Sequence, residues 1–238
     1  MEIRSGAMLP ARREEIELHT EDGLTLVGEL ALPLEGEPSA VILCLHPLPT
    51  HGGFMDSHVL KKASNRLPAL AGIGVLRFNF RGVSAPRGTS EGAFDGGVGE
   101  RFDLLAALQF LRDRGLPTPW LMGWSFGTEV LLMHAAHEEI AGAILLSPPL
   151  HRASDEHLVA WHGNPAPLVA VVPEFDDYLR PDAARERFAI LPEMQIVPIP
   201  GGKHLWVGET QVRQVLNEVV RLVNPEALPL PNEWHEAE

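Results

Sequence analysis

The chain has one cysteine in 238 residues, so no disulfide can form within it. Cys44 lies inside an apolar run, where its expected role is that of a small buried hydrophobe. No apolar run is long enough to span a bilayer. The stretch from Met1 to Glu15 carries charges and a proline and lacks an apolar core of signal-peptide length. A cytoplasmic protein without membrane insertion is the expectation. Basic residues are scarce: 19 Lys and Arg stand against 32 Asp and Glu, a formal net charge of −13. That deficit argues against a nucleic-acid partner, which needs clustered cations, and gives no attraction to an anionic membrane. The eleven histidines are scattered without ligand spacing, so no metal is expected. Internal repeats and low-complexity tracts are lacking too.

What is present is an ordinary globular composition, 45% hydrophobic and 21% charged, at a length that suits one α/β domain. Residues 1–13 read as a flexible arm, 14–223 as a single domain and 224–238 as a flexible tail. Residues 14–20 and 24–32 alternate polar and apolar around Glu21-Asp22-Gly23, a hairpin signal. A continuous apolar run at 40–45 reads as a strand buried on both faces, and 75–80, 120–123, 143–146, 168–172 and 194–199 read as further strands, the one at 168–172 stopped by Pro173. Pro198 marks the last as an edge strand or its end. Helical spacing covers 59–70, ended by Gly72 and Gly74, then 100–114, a stretch to about His137, 181–191 and 210–222. Residues 83–99 should be a long loop. The alternation predicts a mostly parallel sheet of about eight strands with helices on both faces. Ligands of such sheets bind beyond the carboxyl ends of the strands, and the unusual clusters all fall there: His46-Pro47, Arg81-Gly82, Ser125, Asp176-Asp177 and His204.

One of those ends organises the rest. Gly123-Trp124-Ser125-Phe126-Gly127 is a Gly-x-Ser-x-Gly sequence between a strand and a helix, the context that a nucleophile elbow requires. A hydroxyl that must reach a substrate carbonyl sits at the tip of a tight turn, where flanking side chains would collide and glycine would not. The helix starting there aims free N–H groups at the place where negative charge would develop.

A serine needs a base, usually histidine, and a carboxylate to orient it. In such sheets the chain order is serine, acid, histidine. Only His204 and His235 lie beyond Pro173, and His235 is four residues from the end. His204 follows the last strand after Gly201-Gly202, in a loop able to fold back over the sheet. For the acid, Glu174, Asp176 and Asp177 are available. Asp176 is favoured because residues 174–181 resemble the Gly-x-x-Asp-x-x-x-Pro acid loop, with Pro173 in the glycine position and Pro181 one residue past the motif's proline. Asp177 is the alternative, and Glu174 sits closest to the strand end. Two backbone N–H groups should form an oxyanion hole. One is Phe126. The other is Leu48, the only donor in Pro47-Leu48-Pro49. His46 is expected to brace that turn rather than act as a base.

The chain resembles the α/β-hydrolases, and more narrowly small bacterial ones with a His-Pro-x-Pro…Gly-Gly turn, an Arg-Phe-Asn-Phe-Arg-Gly strand end and a Phe-Asp-x-Gly-x-Gly-Glu segment. Here these are His46 to Pro49 with Gly52-Gly53, Arg77 to Gly82, and Phe94 to Glu100. The likeness covers roughly residues 15 to 222 and implies hydrolysis of a small-molecule acyl ester, thioester or amide without a cofactor. The chain departs from those relatives at Leu48, where they tend to have histidine, and over Ser84 to Gly88. Both places fall at the rim of the expected pocket and bear on substrate choice. Relatives often insert a helical lid where residues 150–166 leave room for about one helix, so a minimal cap is expected. Trp124, Phe54, Leu150, Trp161 and Trp206, with Leu48 and Phe126, could line the site, although core packing is the commoner role of each aromatic. The leading reading is a serine hydrolase of small esters or thioesters. A peptidase or acyltransferase with the same three side chains, or a non-catalytic receptor, are the other readings. An aspartate at the elbow would be needed for a dehalogenase or epoxide hydrolase, so Ser125 counts against both.

Overall fold

A computed structural model describes residues 2–234. The chain opens with an antiparallel hairpin, β1 (Arg12–His19) and β2 (Thr25–Leu32). β3 (Ala40–Leu45), α1 (His58–Ala71) and β4 (Ile73–Phe78) follow. A two-residue hairpin, β5 (Ser84–Ala85) and β6 (Gly88–Thr89), precedes α2 (Glu100–Asp113). Then come β7 (Trp120–Trp124), α3 (Phe126–His134), β8 (Gly142–Leu146), α4 (Asp155–Val159), β9 (Leu168–Phe175), α5 (Pro181–Arg187), β10 (Met194–Lys203) and α6 (Glu209–Val223). Eight of the strands form one sheet in the order β1-β2-β4-β3-β7-β8-β9-β10, parallel from β4 onward.

The central strands are apolar throughout because both faces are covered. Along β3, Val41, Leu43 and Leu45 pack on the side of α2 and α3, while Ile42 and Cys44 pack on the side of α1 and α6. The same alternation runs through β7, β8 and β9. Each fully buried Leu, Val or Ile contributes about 1.5–3 kcal/mol, so these two layers hold the sheet together. Burial also raises the Cys44 thiol pKa to about 12, so it stays protonated and apolar.

Several boundaries differ from the sequence reading. Helix α1 ends at Gly72, which takes φ 62° and donates to the Leu67 carbonyl, while Gly74 already lies in β4. β9 runs through Pro173 to Phe175. The Val171 carbonyl accepts from Ser147 N–H, so Pro173, two residues on, faces the same side, where β8 has already ended. Its missing N–H therefore costs no ladder bond. β10 carries Pro198 on the free edge of the sheet. The loop after β4 contains the β5–β6 hairpin, and α3 stops at His134. The first and last described segments meet each other: Ile3 N–H donates to the Asn232 carbonyl and Leu9 is buried, its N–H on the Asn65 carbonyl. Residues 235–238, His235 among them, lie outside the described residues.

Candidate active site

Ser125 caps α3 with φ 52° and ψ −111°, a backbone region costly for any side chain but glycine. The turn is fixed from both sides: Ser125 N–H donates to the Leu146 carbonyl, and its own carbonyl accepts from Thr128 N–H and Oγ1. The flanking glycines are needed for space. A Cβ on Gly127 would lie 2.1 Å from the Leu45 carbonyl oxygen, and one on Gly123 would lie 2.6 Å from the Gly127 backbone. Strand, turn and helix are thus pressed together, and the serine side chain points away from them. Phe126 is the first helical residue, so its N–H has no partner within the helix.

The loops after β9 and β10 bring a carboxylate and an imidazole to the same place. Ser125 Oγ lies 3.0 Å from His204 Nε2, and His204 Nδ1 lies 2.9 Å from Asp176 Oδ2. The other oxygen of Asp176 accepts from Tyr178 N–H at 2.8 Å and Leu179 N–H at 3.0 Å. These partners assign the imidazole proton to Nδ1 and leave Nε2 as an acceptor for the hydroxyl. Burial pushes the Asp176 carboxyl up, but the bonds from His204, Leu179 and Tyr178 outweigh it and hold it below its ordinary value. Asp177 is exposed, and Glu174 instead accepts from Gly201 N–H, tying β9 to the irregular end of β10. The His204 carbonyl takes two buried donors, Trp124 Nε1–H and Ser147 Oγ–H, each at 3.2 Å. Tyr178 stacks edge-on against the imidazole at 4.6 Å.

The turn after β3 faces this group. A Cβ on Gly53 would lie 2.0 Å from the Pro47 carbonyl oxygen, so only glycine lets the turn fold back on itself. His46 is fully buried; its Nδ1–H donates to the Pro47 carbonyl and its Nε2 accepts from Phe80 N–H. It thereby clamps the ends of β3 and β4. The Arg77-to-Gly82 motif is likewise scaffolding: Asn79 accepts from Met55 N–H, and Arg77 is held by Glu29 and Asp56. In the Phe94-to-Glu100 motif, the Glu100 carboxylate accepts from Asp95 and Gly97 N–H, which seats the Phe94 ring 5.3 Å from that of Phe126. A cavity of about 700 Å³ opens over Ser125 and His204, with Leu48 and Phe126 in its wall.

No family model matches the chain. The chain is 29% identical to an α/β serine hydrolase without lid from Xanthomonas campestris, with a TM-score of 0.74 over 95% of this chain and 100% of that one. It is 26% identical to an α/β serine hydrolase homologue from Coxiella burnetii, with a TM-score of 0.72 over 87% of this chain and 96% of that one. This chain belongs to the α/β-hydrolase superfamily. A curated relative, an uncharacterized protein of Rickettsia prowazekii, is 38% identical over 118 residues. That match spans 48% of each chain, about half the length of the relative.

Within this α/β-hydrolase, the candidate lining residues divide. Trp124, Phe54, Leu48 and Phe126 line the cavity. Trp161, Trp206 and Leu150 do not. Trp161 is fully buried beside α3, its indole N–H on the Leu132 carbonyl. Trp206 is fully buried on the α1–α6 side, and Leu150 packs against the core of the opposite face. The cap segment forms only α4. Other participants escaped the sequence reading. Glu129, fully buried in α3, accepts three N–H groups, from His151, Arg152 and Ala153, and so fixes the rim that carries His151 and Arg152. A glutamate within an otherwise apolar helical stretch was the available signal. His58 bonds the Leu205 carbonyl and stacks edge-on at 5.3 Å against Trp124, holding the loop of His204 from below. Among the described residues no helix is long and apolar enough to cross a membrane.

Proposed function

We propose that the chain is a cofactor-independent serine hydrolase that cleaves a small carboxylic ester or thioester through an acyl-enzyme. Ser125 Oγ attacks the substrate carbonyl while its proton passes to His204 Nε2. Asp176 keeps the imidazole in the required tautomer and steadies its positive charge. The N–H groups of Leu48 and Phe126 hold the oxyanion of the tetrahedral intermediate. His204 then gives the proton to the leaving alcohol or thiol as the C–O or C–S bond breaks. Water, deprotonated by the same imidazole, releases the acid and restores the serine.

The single observation that carries this reading is the unbroken series of hydrogen bonds from Asp176 through His204 to Ser125, ending on a hydroxyl at an open cavity. A fluorophosphonate probe tests it. One label per chain on Ser125 is expected, with none in Ser125→Ala. Failure to label the wild-type protein, or a label that survives the substitution, overturns the mechanism. A cytoplasmic setting is part of the proposal, and recovery of the chain from outside the cell membrane would overturn that part.

A further inference from the structure

The cavity wall carries a cation that the mechanism above does not use. Arg152 lines the cavity together with Ser125 and His204, and it is half-buried. Its guanidinium lies 5.2 Å over the ring of Phe126. Among the described residues its side chain makes no hydrogen bond and no ion pair. The other arginines in that condition, Arg101 and Arg180, are exposed. Elsewhere near the site the arginines are matched: Arg77 by Glu29 and Asp56, Arg81 by Asp22 and Asp103, and Arg87 by Glu29. The one carboxylate that shares the cavity wall, Asp56, is already engaged by Arg77 and Lys61. In a chain with a net charge of −13, a half-buried guanidinium left without an ion-pair partner is the exception.

Its placement is built rather than incidental. Glu129 fixes the backbone at three consecutive N–H groups, one of them that of Arg152. The Phe126 ring lies within cation–π distance of the guanidinium, and both residues line the cavity. A guanidinium in the wall of a cavity of about 700 Å³ offers a planar fork of donors that fits a carboxylate, which it can bind with two parallel hydrogen bonds.

We propose that Arg152 receives a carboxylate of the substrate, so that the preferred substrate is an ester or thioester bearing a second, free carboxylate. The substrate class rests on the reading of Ser125 as nucleophile; the anion site does not. Two substrate pairs locate the charge. Monomethyl adipate against methyl hexanoate places it on the acyl side, and 4-acetoxybutanoate against butyl acetate places it on the alcohol side. For at least one pair, kcat/KM for the charged ester should exceed that of the neutral ester by about tenfold or more. That ratio should collapse in Arg152→Gln, recover in part in Arg152→Lys, and fall with added salt. A wild-type ratio at or below one in both pairs, or a ratio unchanged in Arg152→Gln, overturns the proposal. Calorimetric binding of adipate reads the anion site without turnover. Binding at least tenfold weaker in Arg152→Gln supports it, and no binding or equal binding overturns it. Fluorophosphonate labelling of the same preparations tells a failure of the serine chemistry from a failure of the anion site.

Discussion

Two buried aspartates in this protein, Asp176 and Asp103, each accept three hydrogen bonds near a carboxyl end of the sheet. Asp103 receives the backbone N–H, Nε and Nη2 of Arg81, and the remaining guanidinium donors go to Asp22. Every group in that cluster ends on another group of the protein. Asp176 receives two backbone N–H groups and the Nδ1–H of His204, and the far nitrogen of that ring meets a half-exposed hydroxyl at the edge of a cavity. Burial, hydrogen-bond count and residue type are the same. The difference is that one series of bonds closes on itself and the other has an open end with a movable proton. A buried charge whose partners close on one another serves structure; a buried charge linked to a hydroxyl at a cavity is what the proposed chemistry requires.

Substitutions should pull the two aspartates apart. The largest effect is expected for Asp176→Asn, which keeps the shape and takes away the charge. Ester hydrolysis should fall about 10³–10⁴-fold, with a much smaller change in melting temperature; an activity within tenfold of wild type would remove Asp176 from the mechanism. Asp103→Ala should do the reverse. Leaving Arg81 with only its partner Asp22 should cost about 3–5 kcal/mol in a denaturant titration, while the folded fraction retains its fluorophosphonate labelling. A variant that is stable but unreactive would show that the closed cluster also serves the site.

The smallest effect concerns His46 and separates bracing from catalysis by pH. Burial lowers its pKa from 6.5 to about 4, partly offset by its bond to the Pro47 carbonyl. Between those values the unfolded chain binds a proton that the folded chain refuses. The stabilisation is therefore complete above pH 6.5 and is lost as pH falls toward 4, by about 3 kcal/mol. His46→Gln should flatten that part of the stability profile. An unchanged acid limb would assign it to other groups.

Much of this architecture is legible in the residues themselves. Parallel strands bring all their carboxyl ends to one edge of a sheet, so residues that follow β7, β9 and β10 must meet there, however far apart they stand in the chain. That is how chain order singles out His204, and how the glycines around Ser125 announce a crowded turn. The pocket wall was much less legible. An aromatic residue declares that it will be buried, but its spacing does not tell core from cavity, which is why Trp124 faces the site while Trp161 and Trp206 fill the two layers. Pro173 misled for a related reason: a proline ends a strand only where a neighbour needs its N–H, and that depends on where β8 stops. Glu129 and Arg152 work through partners that come together only in the folded chain.

One detail of the histidine loop bears on how such a site tolerates change. The main chain of His204 is secured from behind by the Trp124 indole and the Ser147 hydroxyl, both rooted at the ends of central strands. The imidazole thus takes its position from the middle of the sheet, although its loop hangs from the outermost strand. The exposed side chains of Leu205 and Val207 can then vary as the mouth adapts to a new ligand, with the ring kept over the serine by a fixed pivot.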